Sequence, residues 1–292
     1  MKVGFIAILG RPNVGKSTLL NALLSKRVSI VSPKAQTTRD AISGILNEKD
    51  YQMVFVDTPG IFYGKEKLDS LMKKTAFESS QDVDAIIYMI DSSNKALDDD
   101  VKIFNSISSN APKIVVLNKI DLIKAEEAME KKKEIKEKFN PYLLLEASIK
   151  ENFGIKEIKE AIYPILKEGE PFYPEGMLTD KDKSYQAKEI IRAKLLHFLR
   201  QEIPHQCAVK ITSFKEDDKG VSIKAKIIAE KENQKGIIIG KAGSMIKNIK
   251  IAAKKQMETD WHCHINEFKI EVDFDPGWRN STKKLIEFGY DE

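Results

Sequence analysis

One octapeptide limits what this chain can fold into. Gly10-Arg11-Pro12-Asn13-Val14-Gly15-Lys16-Ser17 has the G-x-x-x-x-G-K-[ST] spacing, with Thr18 directly after it. The apolar run 3–9 before it reads as a buried strand, and the stretch 16–24 after it reads as a helix. A strand, a glycine-rich turn and a helix in that order let backbone N–H groups close around phosphate oxygens. Gly10 and Gly15 permit the turn around Asn13 and Val14. Lys16 can reach the β- and γ-phosphates, and the Ser17 hydroxyl can meet Mg²⁺. The expected ligand is a nucleoside triphosphate with its Mg²⁺.

Composition bounds the rest. With 292 residues the chain has room for two domains, each able to bury a core. A hydrophobic content of 42% with 32% charged residues belongs to a globular chain and not to a disordered one. No apolar run nears the ~18 residues of a membrane-crossing helix. The N-terminus lacks a signal peptide's cleavage region, so the expected location is the cytoplasm. Two cysteines, Cys207 and Cys263, suit a reducing compartment. His262-Cys263-His264 has no second pair at ligand spacing and leads into a strand, so these read as ordinary core or surface residues.

The first portion alternates strands with helices. Strands are expected over 3–9, 42–46, 52–56, 85–90, 114–117 and 142–145, and helices over 16–24, 68–79, 98–107, 125–138 and 155–166. That alternation predicts a mostly parallel six-stranded α/β sheet with helices on both faces. The short polar turn 47–50 makes the second and third strands an antiparallel hairpin. Pro164, Gly169, Pro171, Pro174 and Gly176 then change the texture, so 169–184 reads as a linker between domains 1–168 and 185–292. The second part runs helix, strand, strand, helix, helix, strand, a compact α+β unit.

Asn118-Lys119-Ile120-Asp121 directly follows the strand 114–117. Asp121 can accept from the N1–H and exocyclic amine of guanine, a donor pair that adenine lacks. Asp57-Thr58-Pro59-Gly60 ends the third strand: Asp57 can hold a Mg²⁺-bound water, and the Gly60 N–H can sense a γ-phosphate. Thr37-Thr38-Arg39-Asp40 lies in a polar connection, where one threonine completes the Mg²⁺ shell. Together these motifs resemble the translation-factor-related GTPases over roughly residues 1–168. The resemblance implies Thr38 as the Mg²⁺ ligand, Lys16, Thr38, Asp57 and Gly60 as the catalytic set, and Ala147-Ser148 as the guanine-backing loop. The usual Ser-Ala order is reversed there, at little cost, because the contact is made largely by backbone N–H groups.

Ile61 stands where many small GTPases carry a water-orienting glutamine, which implies slow intrinsic hydrolysis. Asn13 resembles the asparagine with which related GTPases of this kind bind K⁺ beside the phosphates. Two readings stay open at Asn13: K⁺ supplying charge in place of an arginine finger, or a residue that merely stabilises the loop.

Charge is uneven. Residues 181–292 hold 22 Lys/Arg against 17 Asp/Glu, and 233–257 carry Lys235, Lys241, Lys247, Lys250, Lys254 and Lys255 with no acid. Inside that basic stretch Gly240-Lys241-Ala242-Gly243 follows three isoleucines and precedes Ile246 and Ile249. The pattern I-I-G-x-x-G-x-x-I-x-x-I, with the helix ahead of two strands, resembles a type II KH domain. In that module the loop clamps the backbone of about four nucleotides. Gly240, Lys241, Ala242 and Gly243 would make the clamp, with Lys235, Lys247 and Lys250 as electrostatic neighbours. Single-stranded RNA is the expected ligand, and single-stranded DNA stays open on charge alone.

A GTPase domain joined to a C-terminal KH domain resembles a family of bacterial ribosome-assembly GTPases. That resemblance implies GTP and GDP as ligands, binding near the 3′ end of 16S rRNA on the 30S subunit, a monomer, and peripheral association with the cell membrane. No amphipathic membrane helix stands out in the sequence. Two other readings are a binding module in which nucleotide only stabilises the fold, and a membrane-linked signalling or cell-cycle GTPase.

Overall fold

We describe a computed structural model, covering residues 1–31, 37–200 and 202–290. The chain divides into two compact units, Met1–Gly64 with Met72–Asp180, and Lys65–Leu71 with the chain from Lys181 onward.

In the first unit β1 (Lys2–Gly10), β3 (Tyr51–Asp57), β4 (Ala85–Asp91), β5 (Lys113–Asn118) and β6 (Leu143–Glu146) run parallel, and β2 (Ile42–Asn47) pairs antiparallel with β3. The order is β2-β3-β1-β4-β5-β6. Strands buried on both faces read as unbroken apolar runs, and their parity sorts the core. Ile6, Ile8, Phe55, Ile87 and Val116 pack on one face with Leu19, Leu20 and Leu23 of α1 (Lys16–Leu24) and Ile158 and Ile162 of α5 (Ile155–Ile162). The alternate residues Ala7, Leu9, Ile86, Tyr88 and Val115 meet the other helices. These are α2 (Lys67–Glu78) through Ala76, α3 (Asp98–Asn105) through Ile103 and Phe104, and α4 (Ala125–Phe139) through Ile135 and Phe139. This order brings the loops after β1, β3 and β5 to the carboxyl ends of neighbouring parallel strands, where α/β folds bind ligands.

Two expectations change. The α-helix expected to run to residue 166 ends at Ile162, and a seventh strand, β7 (Lys167–Glu168), follows and pairs antiparallel with Lys2 and Val3 of β1. Pro164 stops α5, and β4 pairs with β1 only from Ile6 onward, which leaves the start of β1 open for another strand. The segment read as a linker, 169–184, is also divided. The buried Gln52 Oε1 accepts from the N–H of Phe172 at 2.7 Å and of Tyr173 at 3.1 Å, and its Nε2 donates to the Tyr173 carbonyl at 2.8 Å. Further on, Ile45 N donates to Leu178 O at 2.9 Å, and Ser43 N to Asp180 Oδ1 at 3.1 Å. Residues 172–180 thus form a strap that starts on the Gln52 side chain of β3 and runs at 177–180 along β2, occupying an otherwise open sheet edge.

The second unit contains α6 (Lys183–Phe198), β8 (Cys207–Asp217), β9 (Gly220–Ala229), α7 (Glu232–Ile239), α8 (Ser244–Trp261), β10 (Ile265–Phe274) and α9 (Thr282–Glu287). The sheet order is β10-β9-β8, antiparallel between β8 and β9 and parallel between β9 and β10. Val221, Ile223, Ala225 and Ile227 turn inward against α6 and α8, while Ser222, Lys224 and Lys226 between them are half-buried or exposed, so β9 has one wetter face. Pairing between β8 and β9 continues to Asp217 and Gly220, which leaves a tight connecting turn.

Candidate functional site

The loop between β1 and α1 owes its shape to backbone geometry. Gly10, Asn13 and Gly15 have φ of 144°, 64° and 107°. A Cβ on Gly10 would stand 2.5 Å from the Met89 carbonyl oxygen, and one on Gly15 would stand 2.5 Å from Asn118 Nδ2. Only glycine fits either position without displacing a neighbour.

A cavity of about 680 Å³ opens above this loop. Asn13, Gly15, Lys16, Ser17 and Thr18 form one wall, Thr37, Thr38 and Gly60 a second, and Asn118, Lys119, Asp121 and Ser148 a third. Gly10, Val14, Asp57 and Ala147 stand behind these walls, bonded to the residues in front of them or buried beneath them. Lys16 Nζ donates to the carbonyls of Arg11 at 2.9 Å and Gly10 at 3.2 Å. Burial pulls its pKa down to about 8 against the opposing charge of Asp57.

Thr38 is the threonine whose hydroxyl meets Ser17, with the two oxygens 2.8 Å apart, and it lies 3.5 Å from Asp57 Oδ2. Ser29 Oγ donates to that same carboxylate oxygen at 2.7 Å. The other oxygen, Asp57 Oδ1, is buried without a hydrogen-bond partner among the described residues. Burial pushes the Asp57 carboxyl above its ordinary value, while Lys16 and the hydroxyls of Ser17, Ser29 and Thr38 draw it down. Two hydroxyls beside an orphaned carboxylate oxygen form a hard oxygen donor set, which fits Mg²⁺.

Asn118 ties the two ends of the cavity together. Its Nδ2 donates to the Val14 carbonyl at 2.8 Å, and its Oδ1 accepts from the Ile149 N–H at 3.2 Å. Lys119 takes a left-handed φ of 64° and its ammonium pairs with Asp91 Oδ2 at 2.6 Å. Ser148 Oγ donates to Asp121 Oδ1. Despite the reversed Ala147-Ser148 order, a serine hydroxyl still orients the carboxylate suited to guanine. Ile61 turns its side chain into the core, fully buried, and its N–H donates to the Gly10 carbonyl at 3.1 Å.

In the second unit, Gly240, Ala242 and Gly243 have φ of 75°, 50° and 76°. They form a tight connection between α7 and α8, with Gly243 N donating to Gly240 O at 3.1 Å. A Cβ on Gly240 would stand 2.6 Å from Met245 Cβ, whereas one on Gly243 would meet nothing within 4 Å. Ile249, Ala253 and Met257 bury one stripe of α8, leaving Lys247 and Lys250 exposed beside the exposed Lys241 and Ala242. Lys235 on α7 is half-buried.

Comparison with known proteins follows the same division. The family described as 50S ribosome-binding GTPase matches residues 5–119, and the KH domain matches residues 202–274. GTPase Era of Caldanaerobacter subterraneus subsp. tengcongensis is 41% identical over 292 residues, covering 99% of this chain and 98% of that protein. GTPase Era of Fusobacterium nucleatum subsp. nucleatum is 42% identical over 296 residues, covering both proteins completely. The chain belongs to the Era family of GTPases. A crystal structure of an Aquifex aeolicus Era variant bound to GDP·AlF4⁻ superposes with a TM-score of 0.94 at 38% identity, covering 100% of both chains. The structure of Era in complex with MgGDPNP and nucleotides 1506–1542 of 16S ribosomal RNA matches with the same score, identity and coverage. The resemblance read from the motifs and the fold class expected from the sequence both hold.

This Era-family site also uses residues that sequence reasoning missed. Ser29 supports Asp57, and Asp91 fixes Lys119. Asp91 ends a parallel strand, a position at which an acid is a usable signal. Ser29 has no such signal, because no spacing links it to Asp57. Among the described residues no helix is long and apolar enough to cross a membrane.

Proposed function

We propose that this chain is a GTP-hydrolysing switch that binds single-stranded ribosomal RNA, near the 3′ end of the 16S species, and acts in assembly of the small subunit. The observation that carries the nucleotide half is the meeting of Ser17, Thr38 and Asp57 below a cavity floored by Lys16. Lys16 would neutralise charge on the β- and γ-phosphates, and the N–H of Gly60, which lines the cavity, would sense the γ-phosphate. Ser17 and Thr38 hold Mg²⁺ directly and Asp57 holds it through water. When bound, the ion screens charge between the β- and γ-phosphates. Asp121 and the backbone of 147–148 read guanine.

With Ile61 locked into the core, no polar side chain stands at its position to orient a water. Hydrolysis then needs charge from elsewhere, and Asn13 on the cavity wall is the candidate K⁺ ligand. GTPase rates that are equal in Na⁺ and K⁺ buffers would remove this part of the proposal.

For the RNA half, Gly240 through Gly243 clamp a backbone that Lys235, Lys241, Lys247 and Lys250 attract. The 16S complex of a 38% identical Era supports this ligand over single-stranded DNA. The deciding experiment measures affinity for an oligonucleotide of the 16S 3′ end with GDP and with a non-hydrolysable GTP analogue. A difference supports the switch. Equal affinities support a binding module whose nucleotide only stabilises the fold. Gly243→Asp puts a carboxylate beside the clamp, at a left-handed φ of 76° that also strains the turn, and should abolish RNA binding while GTP hydrolysis continues.

A further inference from the structure

Arg11 is a residue of the phosphate-loop motif that the nucleotide site leaves unexplained. Its guanidinium turns to α3, with Nη2 3.4 Å from Asp99 Oδ2 and Nη1 3.5 Å from Asp100 Oδ2. Asp99 is half-exposed, but the Asp100 side chain is fully buried. The hydroxyl of the buried Tyr88 reaches the Asp100 carbonyl oxygen at 3.1 Å and Oδ1 at 3.2 Å. Burial pushes the Asp100 carboxyl up, and Arg11 and Tyr88 draw it down. Burial also raises Tyr88, which keeps the phenol a donor.

A buried carboxylate is costly, and an apolar residue of similar size would anchor a helix to a loop more cheaply. What the ion pair adds is an electrostatic tether for Arg11, at ion-pair distance from an Asp100 Oδ2 that has no hydrogen-bond partner among the described residues. Two contacts involve the backbone that this tether holds, in a loop whose shape the glycines already permit. The Arg11 carbonyl accepts from Lys16 Nζ at 2.9 Å. Pro12, the next residue, is the seat of Gly60: a Cβ there would stand 2.7 Å from Pro12 Cα.

We propose that Arg11 is a positioning residue for GTP hydrolysis: its pair with Asp100, backed by Tyr88, fixes the first turn of the phosphate loop so that Lys16 and Gly60 keep their spacing around the γ-phosphate. The inference rests on the GTPase reading above. Arg11 touches no reacting atom and acts through the backbone it holds.

The test compares the full chain with Arg11→Met, which keeps length without charge, with Arg11→Lys, and with Asp100→Asn alone and combined with Arg11→Met. Arg11→Met should lower kcat about tenfold, as small misplacements at an active site do, with KM for GTP and Kd for GDP within about twofold of wild type. Arg11→Lys should recover at least about a third of the lost rate, and the double variant should be no slower than Arg11→Met. The proposal is overturned if Arg11→Met keeps kcat within about twofold of wild type. It is also overturned if KM and Kd rise along with the loss of rate, or if lysine rescues nothing. Because Asp100 is buried, Asn there can unfold the chain; the two Arg11 variants then decide alone. If the wild-type chain hydrolyses no GTP, the reading beneath the proposal fails and the inference falls with it, a result distinct from a wild type that turns over and an Arg11 variant that matches it.

Discussion

At the scale of single residues, the site works by placing ordinary groups in unusual surroundings. Lys16 is the clearest case. Below about pH 8 its buried ammonium costs the nucleotide-free protein stability. Between about 8 and its ordinary value of 10.5 the unfolded chain retains a proton that the folded chain has lost, so this group's contribution to stability rises with pH across that window. A bound triphosphate favours the charged form and reverses the balance. Nucleotide binding near pH 8.5 should therefore take up most of a proton, read by calorimetry in two buffers of different ionisation enthalpy, and Lys16→Met should take up none. Ser148 makes a smaller contribution by orienting Asp121. Ser148→Ala should weaken GDP binding about fivefold, the effect of losing roughly 1 kcal/mol of hydrogen bonding. A titration with fluorescent GDP that finds unchanged affinity would remove serine from the guanine site.

At the scale of elements, how much is legible in the sequence depends on whether a ligand or the chain sets the pattern. The loop 10–17 is legible because its spacing follows from the size of a phosphate, and β1 through β6 because strands buried on both faces need unbroken apolar runs. The strap 172–180 is not, since Pro- and Gly-rich chain looks the same whether free or laid along a sheet edge. Its attachment runs through backbone groups and one side chain, Gln52, which looks like any polar residue in a strand. Ser29 is hidden for a related reason, as it touches a partner 28 residues away, whereas Asp91, equally far from Lys119, at least sits at a strand end. Gln52→Ala would leave the Phe172 and Tyr173 amides without their acceptor. It should destabilise the first unit by about 2–4 kcal/mol in urea unfolding. It should also speed amide exchange at Ile45, which donates to Leu178. Exchange at Ile45 that matches wild type would mean the strap is held by its other contacts.

At the scale of the whole molecule, two ligands of like charge are handled in different ways: one by a cavity lined by loops, the other by lysines at and near the surface around a glycine turn. Binding of an RNA strand to Lys235, Lys241, Lys247 and Lys250 should weaken with salt, each contact adding roughly −0.7 to the slope of log K against log salt. A single Lys→Gln change should lessen the slope by about that amount at every oligonucleotide sequence, whereas an unchanged slope would exclude that lysine from the interface. The nucleotide cavity has a different kind of consequence, which follows from Asn118. One amide holds both the Val14 carbonyl under the phosphates and the Ile149 amide beside the base. A purine that fits poorly on the 147–149 side of the cavity should therefore disturb the loop under the phosphates as well. Discrimination between purines should then extend beyond occupancy into turnover: a nucleotide with the wrong base, forced in at saturating concentration, should still lose its γ-phosphate slowly.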